Sequence, residues 1–182
     1  VVSNVSYSTG NTPTTNGIGY FNKAQSGFPF LDGIILTSGS ALAVPGPNNS
    51  ILGNGGLGGD ADLSAILAAQ TPPQTGTLFN ATSLEFDFVA LGNQVTFNFL
   101  FASEEYGTFQ CGYSDAFAFI LTDLTAGTPA TNLAVLPGGI PVSVVNIRDQ
   151  LFNNNCGSVN AEYFDKFYAN VVGGVNPIGA PI

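Results

Sequence analysis

Three carboxylates near the middle of the sequence have the residue types and spacing to bind a cation. Glu104 and Glu105 lie near one end of the segment 103–115, and Asp115 lies at the other end. Carboxylate oxygens are preferred ligands of Ca²⁺, which takes roughly 6–8 oxygens. The pattern predicts a calcium site. In the alternative interpretation, one glutamate is solvated and the other accepts hydrogen bonds from loop amides.

A second acidic group follows a run of glycines. Residues 55–60, GGLGGD, match the start of the calcium-binding repeat GGxGxDxUx, but Asp62 stands where that repeat has an apolar residue. The glycines permit positive φ in a tight loop, while Asp60 and Asp62 favour the N-terminus of a helix. The other open interpretation is that Asp60 and Asp62 join Glu104 or Glu105 in one calcium site.

Aromatic residues lie between Glu105 and Asp115 in the segment 103–115. Tyr106, Phe109 and Tyr113 can stack on sugar rings, because an aromatic face is flat and apolar. They can equally cover the core beneath the loop, which is the interpretation we favour. The candidate ligand-binding residues are Asp115, Tyr106 and Tyr113.

Catalysis is not expected from this sequence. The chain has no histidine, which removes Ser-His-Asp triads and imidazole zinc sites. Glycoside hydrolysis needs two carboxylates about 5–9 Å apart. Glu104 and Glu105 are adjacent, and an extended backbone points adjacent side chains in opposite directions. We therefore predict that the protein is not an enzyme.

The two cysteines, Cys111 and Cys156, favour a disulfide over two free thiols if the protein is extracellular. In the loop-entropy model, a disulfide that closes the loop of about 45 residues between them contributes roughly 3–4 kcal/mol to stability.

The charge of the chain excludes several partners. Twelve acidic residues face three basic ones, Lys23, Arg148 and Lys166, for a formal net charge of −9. Nucleic acid is not an expected partner, because little positive charge is present to neutralise phosphates.

No apolar run reaches the ~20 residues that span a bilayer, so direct membrane insertion is not expected either. Only 8% of residues are charged, and the predicted Asn-, Thr- and Ser-rich surface is typical of an extracellular protein.

Two predicted strands position the segment 103–115. Alternate side chains of the first strand form one aromatic face, made of Val95, Phe97, Phe99 and Phe101. The second, DAFAFILT at residues 115–122, is apolar on both faces and is expected in the middle of a sheet.

The remaining patterns indicate the fold class. Strands are predicted over residues 1–8, 17–21, 34–37, 84–89, 132–136, 142–147 and 164–172. Asp60 is expected to cap one short helix that carries Leu63, Ile66 and Leu67 and ends before Pro72. We predict an all-β protein, an antiparallel β-sandwich of jelly-roll or concanavalin-like type with one short helix, as a single domain over residues 1–182.

Several motifs together carry a family resemblance. The motifs are VSNVSYS, IGYF, FPFLDGIILTSG, AVPGPNN, GGDADL, LEFDFVALGNQVTFNFLFASEEY, SDAFAFIL, NLAVLPG and PVSVVNI. With these motifs the chain resembles the choice-of-anchor L family of bacterial surface proteins, which is common in Bacteroidetes. The resemblance covers most of the chain and implies a secreted module in proteins with different surface anchors, often including a type IX secretion signal.

Two features depart from that pattern or extend it. The family runs on into a YDGxT-like strand, whereas this chain stops at NPIGAPI, so we expect a truncated or processed piece of a longer protein. SDAFAFIL also resembles the DGxAF strand start of legume-type lectins. That resemblance implies a sugar-binding role for Asp115, although Ala116 stands where the lectins have glycine.

Three functional hypotheses follow from these observations. The leading one is a non-catalytic extracellular structural or adhesive module, stabilised by Ca²⁺ and attached to a surface polysaccharide or another surface protein. The second is a calcium-dependent, lectin-like carbohydrate-binding domain. The third is a subunit that self-associates by strand addition into a surface filament.

Overall fold

The computed structural model describes residues 1–45, 57–165 and 167. Its secondary-structure elements within those residues are β1 (Val2–Ser8), β2 (Ile18–Asn22), β3 (Asp32–Leu36), α1 (Ala61–Ala69), β4 (Ser83–Phe88), β5 (Ala116–Phe117), β6 (Ile120–Leu121), β7 (Thr131–Asn132), β8 (Val135–Leu136), β9 (Ile140–Ser143) and a 3₁₀ turn (Ala161–Tyr163).

The prediction of an all-β protein with one short helix is confirmed. The described strands form four small sheets, and every pairing between them is antiparallel. The jelly-roll or concanavalin-like sandwich stays a prediction, as does the single domain over residues 1–182. No helix in the described part of the chain is long and apolar enough to cross a membrane. Most of the strand predicted over residues 164–172 lies outside the described residues.

The chain divides into two compact units. The described part of the first unit comprises residues 1–45, 57–60 and 78–100. Here β1 pairs with β4, and β2 pairs with β3. The apolar, β-branched run at residues 34–37 predicted a buried strand. The burial is wrong, because Ile34 and Leu36 on β3 are exposed and Ile35 and Thr37 are only partly buried. In a two-stranded ribbon, alternate side chains point to opposite faces, and one face of β3 is exposed while the other is only partly buried.

A chain of hydrogen bonds joins the ends of the four strands in the first unit. The Gly17 amide donates to Thr9 Oγ1 at 2.7 Å, and Thr82 Oγ1 donates to the Thr37 carbonyl at 2.8 Å. Since the Thr82 hydroxyl is used in that way, Thr9 must donate in the 3.3 Å contact between the two hydroxyls. Gly17 is required here, because a Cβ would lie 2.0 Å from the Thr37 carbonyl oxygen.

The described part of the second unit comprises residues 61–77, 101–165 and 167. It contains the three-stranded sheet β5-β9-β8 and the pair β6-β7. Its core is built on the buried side chains of Ala134, Val142 and Ile147, and five partly buried residues pack against them, namely Phe101, Phe117, Phe119, Leu136 and Phe164.

Amide side chains dock helix α1 in the second unit. The helix follows Asp60 directly, as predicted, and buries Leu67. Beyond its end, Gln74 Nε2 donates to Ser143 Oγ at 3.2 Å and to Asn146 Oδ1 at 3.3 Å. Asn146 Nδ2 in turn donates to Gln70 Oε1 at 2.8 Å. These bonds satisfy polar groups that would be costly to bury alone.

The strand predicted over residues 95–101, with an aromatic core face, is wrong for the described chain. No strand is assigned there, and the side chains of Phe97 and Phe99 are 45% and 47% exposed. Alternation determines which side chains share a face, but it does not determine whether another element covers that face.

The single strand predicted over residues 115–122 is instead two short strands with different partners. Ala116 and Phe117 pair with β9, whereas Ile120 and Leu121 pair with β7. Between them, the Phe119 amide donates to the side-chain oxygen of Asn132 at 3.1 Å. The side chain of Asn132 thus accepts the hydrogen bond that a backbone carbonyl of a neighbouring strand would otherwise accept, at the point between β5 and β6 where the strand partner changes.

Candidate functional site

The segment 103–115 is closed by a hydrogen bond between its first and last side chains. Ser103 Oγ donates to Asp115 Oδ2 at 2.6 Å and accepts from the Glu105 amide at 3.1 Å. Ser103 is only 4% exposed, so water competes little for this charge-assisted bond. The Asp115 carbonyl also accepts from the Val144 amide at 3.1 Å. Asp115 is therefore fixed through both its side chain and its backbone.

The predicted calcium ligands of this segment influence one another electrostatically. Burial raises the pKa of the Glu105 carboxyl above its ordinary value of 4.5, and the charges of Asp115 and Glu104 raise it further. Like charges at short range disfavour the ionised form. In the described part of the chain, however, no three or more Asp, Glu or Cys side chains are arranged to hold a metal ion. Calcium binding stays a prediction.

Tyr106 belongs to an aromatic cluster. Its ring meets Phe164 edge-on at a centroid distance of 4.7 Å and approaches Phe101 at 6.5 Å. Phe152 also belongs to the cluster, and its ring centroid lies 5.3 Å from that of Phe164 and 4.3 Å from that of Phe167. Burial, and to a smaller extent the charge of Asp115, raises the pKa of the Tyr106 phenol. This packing fits the interpretation of Tyr106 as a cover for the core.

Phe109 and Tyr113 form a separate ring pair that is exposed to solvent. The Phe109 amide donates to the Glu105 carbonyl at 3.1 Å, and the Tyr113 amide donates to the Phe109 carbonyl at 3.0 Å. These successive i to i+4 bonds place the two rings together, edge to face, at 6.0 Å. The Tyr113 side chain is 65% exposed, so its outer face is open to solvent.

The predicted disulfide between Cys111 and Cys156 is confirmed. The two sulfur atoms lie 2.04 Å apart, and the Cα atoms are separated by 5.6 Å. The bond joins the segment 103–115 to a second loop, residues 148–159, and we call these two segments the loop pair. The disulfide thereby ties the two loops to one another.

Three further side chains join the loop pair without covalent bonds. Gln110 is fully buried; its Oε1 accepts from the Gly107 amide at 3.1 Å, and its Nε2 donates to the Asp149 carbonyl at 3.0 Å. Asn153 Nδ2 donates to the Gly107 carbonyl at 2.8 Å. Arg148 Nη1 reaches the Gln110 carbonyl at 3.4 Å. The loop pair is therefore held at several independent points.

A comparison with known protein families accounts for this chain over nearly its whole length. The family model of the choice-of-anchor L domain matches residues 1–180. The chain belongs to the choice-of-anchor L family. No curated protein and no solved structure matches it. Family membership makes this choice-of-anchor L domain a surface-associated module of an extracellular or cell-surface protein, in a family not known for enzymatic activity.

The second predicted acidic group of the choice-of-anchor L domain lies at the start of α1. Asp60 precedes the helix and Asp62 lies in its first turn, where a negative charge interacts favourably with the helix dipole. Residues 55 and 56 of the glycine motif lie outside the described residues. Asp60 and Asp62 fall in different compact units, and the joint calcium site with Glu104 or Glu105 stays a prediction.

Sequence reasoning missed Gln110, Asn153 and the role of Arg148 in the choice-of-anchor L domain. The Arg148 guanidinium donates to two backbone carbonyls, those of Gly157 at 3.0 Å and Gln110, although the sequence suggested only a counter-charge. An amide side chain looks the same in the sequence whether it is solvated or buried. The one available signal was the predicted disulfide, which implies that residues near Cys111 and Cys156 are neighbours.

Proposed function

We propose that this domain is a non-catalytic adhesive or structural module that attaches its parent protein to surface material outside the cell through the loop pair. The observation that carries the proposal is the disulfide between Cys111 and Cys156, which crosslinks two loops that side-chain hydrogen bonds already join. Disulfides persist mainly in oxidising compartments, which agrees with a role outside the cell.

The construction of the loop pair favours attachment. Loops held in one conformation lose less conformational entropy on binding than mobile loops do. Here the buried side chain of Gln110 and the amide of Asn153 bond across the two segments. Exposed aromatic and aliphatic side chains, including Tyr113 and Leu151, lie on the same segments. Such a surface supports contact with a partner and needs no reacting group.

Attachment and catalysis can be separated in one experiment. Beads coated with the purified domain are passed over immobilised polysaccharide and protein fractions from bacterial surfaces, and released products are measured by mass spectrometry. We expect retention above that of beads coated with an unrelated protein of equal net charge, and no cleavage products. Retention equal to that control, or cleavage of the surface material, would overturn the proposal.

A second candidate function is calcium-dependent carbohydrate binding. Burial is the main cause of the raised pKa of Glu105, and the charges of Asp115 and Glu104 raise it further. This second contribution favours the function, because a divalent cation would relieve the repulsion among these carboxylates. The test is a glycan array probed with added Ca²⁺ and with chelator, using the wild type, Asp115→Asn and the exposed control Glu162→Gln. Binding that requires Ca²⁺ and is lost only in Asp115→Asn supports this function. Binding indifferent to chelator contradicts it.

A further inference from the structure

The loop pair carries an exposed aromatic ring on its first segment and exposed carboxamide groups on its second. Tyr113 is held on Phe109 by the Tyr113 N to Phe109 O bond and by the edge-to-face ring contact. Its hydroxyl has no hydrogen-bond partner within the described residues. The ring thus combines a fixed position with an open face and a free polar group, which is the arrangement an amphipathic aromatic uses in recognition.

The second loop of the pair contributes the amides. In the run of residues 153–155, Asn153 is used internally, since its Nδ2 donates to the Gly107 and Thr108 carbonyls and its Oδ1 accepts from the Asn155 amide. The side chains of Asn154 and Asn155 are exposed and bond to no group in the described part of the chain. Each free carboxamide offers two donors and an acceptor with two lone pairs.

The disulfide brings these groups into reach of one ligand. Cys111 lies two residues before Tyr113, and Cys156 directly follows Asn155. With 5.6 Å between the cysteine Cα atoms, the Cα atoms of Tyr113 and Asn155 are no more than about 17 Å apart, because successive Cα atoms lie about 3.8 Å apart. An oligosaccharide can contact both residues at once.

The charge of the surroundings limits the class of ligand. Both amide and phenol groups are neutral, and the guanidinium of Arg148, the basic group of this loop pair, donates to the Gly157 and Gln110 carbonyls. The chain as a whole carries a formal net charge of −9, which repels acidic polysaccharides. A sugar ring with apolar C–H faces and neutral hydroxyl groups matches both the aromatic face and the carboxamides.

We propose that Tyr113, Asn154 and Asn155 form a binding site for neutral oligosaccharides, in which the sugar ring stacks on Tyr113 and its hydroxyls bond to the two amides. The inference deepens the adhesive function proposed above by naming a ligand class. It uses neither Ca²⁺ nor Asp115 as a ligand, which separates it from the calcium-dependent candidate.

The test is an array of neutral and acidic oligosaccharides probed with the intact chain, in the presence of chelator. Binding to neutral members is expected, at least tenfold weaker in Tyr113→Ala and in the double variant Asn154→Ala/Asn155→Ala. Tyr113→Phe, which keeps the ring, is expected to retain more binding than Tyr113→Ala. Tyr20→Ala is the matched control, because Tyr20 is 71% exposed in the other compact unit, and it is expected to bind as the wild type does.

Melting curves of all variants show whether each remains folded, so that a lost interaction is not a lost fold. The inference is overturned if folded Tyr113→Ala binds as tightly as the wild type, if only acidic members bind, or if chelator abolishes binding. It is also overturned if no neutral member binds, and bead retention on protein fractions would then leave the adhesive function standing without this ligand.

Discussion

Removal of the disulfide by the double substitution Cys111→Ser/Cys156→Ser is expected to lower the free energy of unfolding by about 4 kcal/mol. The bond closes a loop with a sequence separation of 45. In the chain-entropy model, opening a loop of that length returns about 13 cal/mol/K of entropy to the unfolded chain, which is about 4 kcal/mol at 25 °C. Both cysteines are replaced so that no free thiol is left to react.

The expected change in melting temperature follows from the size of the chain. Globular proteins gain about 2.1 cal/mol/K of entropy per residue on unfolding. For 182 residues, a loss of about 4 kcal/mol lowers the melting temperature by about 10 °C. The native loop pair is expected to persist in the variant, because Gln110 and Asn153 still bond across it.

Thermal unfolding followed by circular dichroism measures this effect. The melting temperature of the wild type in reductant should be close to that of the double variant. The melting temperature of the double variant should not change when reductant is added. Thiol titration of the unfolded wild type checks that it starts oxidised. A shift of less than about 3 °C would refute the reasoning that the crosslink acts by restricting the unfolded chain. So would a native spectrum altered by the substitution, since the loss would then come from the folded state.

Three other substitutions test the packing and the electrostatics. Gly17→Ala is expected to lower the free energy of unfolding by about 3 kcal/mol in denaturant titration, because the new Cβ would clash with the Thr37 carbonyl oxygen. In the control Gly27→Ala, the new Cβ meets nothing within 4 Å, and stability should change by less than about 0.5 kcal/mol. Equal losses in the two variants would contradict the proposed packing at the strand ends. Asn146→Ala is expected to cost about 2–3 kcal/mol, because it leaves the buried Pro141 carbonyl and the partly buried amides of Gln70 and Gln74 without this partner. The exposed control Asn93→Ala should change stability little, and a loss no larger than that of the control would refute the proposed docking of the helix. Glu105→Gln is expected to raise the melting temperature at pH 7. The pKa of Glu105 in the folded state is above 4.5, so the folded wild type binds this proton more tightly than the unfolded chain and loses stability as pH rises from 4.5 through the folded pKa. The gain in melting temperature should vanish below pH 4.5, and a gain independent of pH would contradict the electrostatic cause.

Local patterns in the sequence predicted the class of structure well. The helix appears where Asp60 and the spacing of Leu63, Ile66 and Leu67 place it, because helix start signals and apolar periodicity act within a few residues. The disulfide was predictable because two cysteines allow a single pairing. The strands near residues 1–8, 17–21 and 84–89 also appear, since each has an alternating pattern of its own.

The acidic segment was only partly predictable. Its position between apolar runs was visible in the sequence, but the bond from Ser103 to Asp115 was not, because it joins residues 12 apart through a fold that brings them together. Residues 115–122 are divided between two sheets, and the Phe119 amide there bonds to the side chain of Asn132, a contact between residues 13 apart that no local pattern predicts.

The sequence by itself determined the strand-rich class, the short helix, the disulfide, the family and the acidic, histidine-free character of the chain, because these depend on composition, local periodicity and recognisable motifs. Only the tertiary structure decided that Phe97 and Phe99 remain about half exposed, that Gln110 is buried, and that the ring of Tyr113 and the side chain of Asn155 are both exposed. Burial and hydrogen-bond partners are set by residues far apart along the chain, and neither property is encoded in the identity of a single side chain.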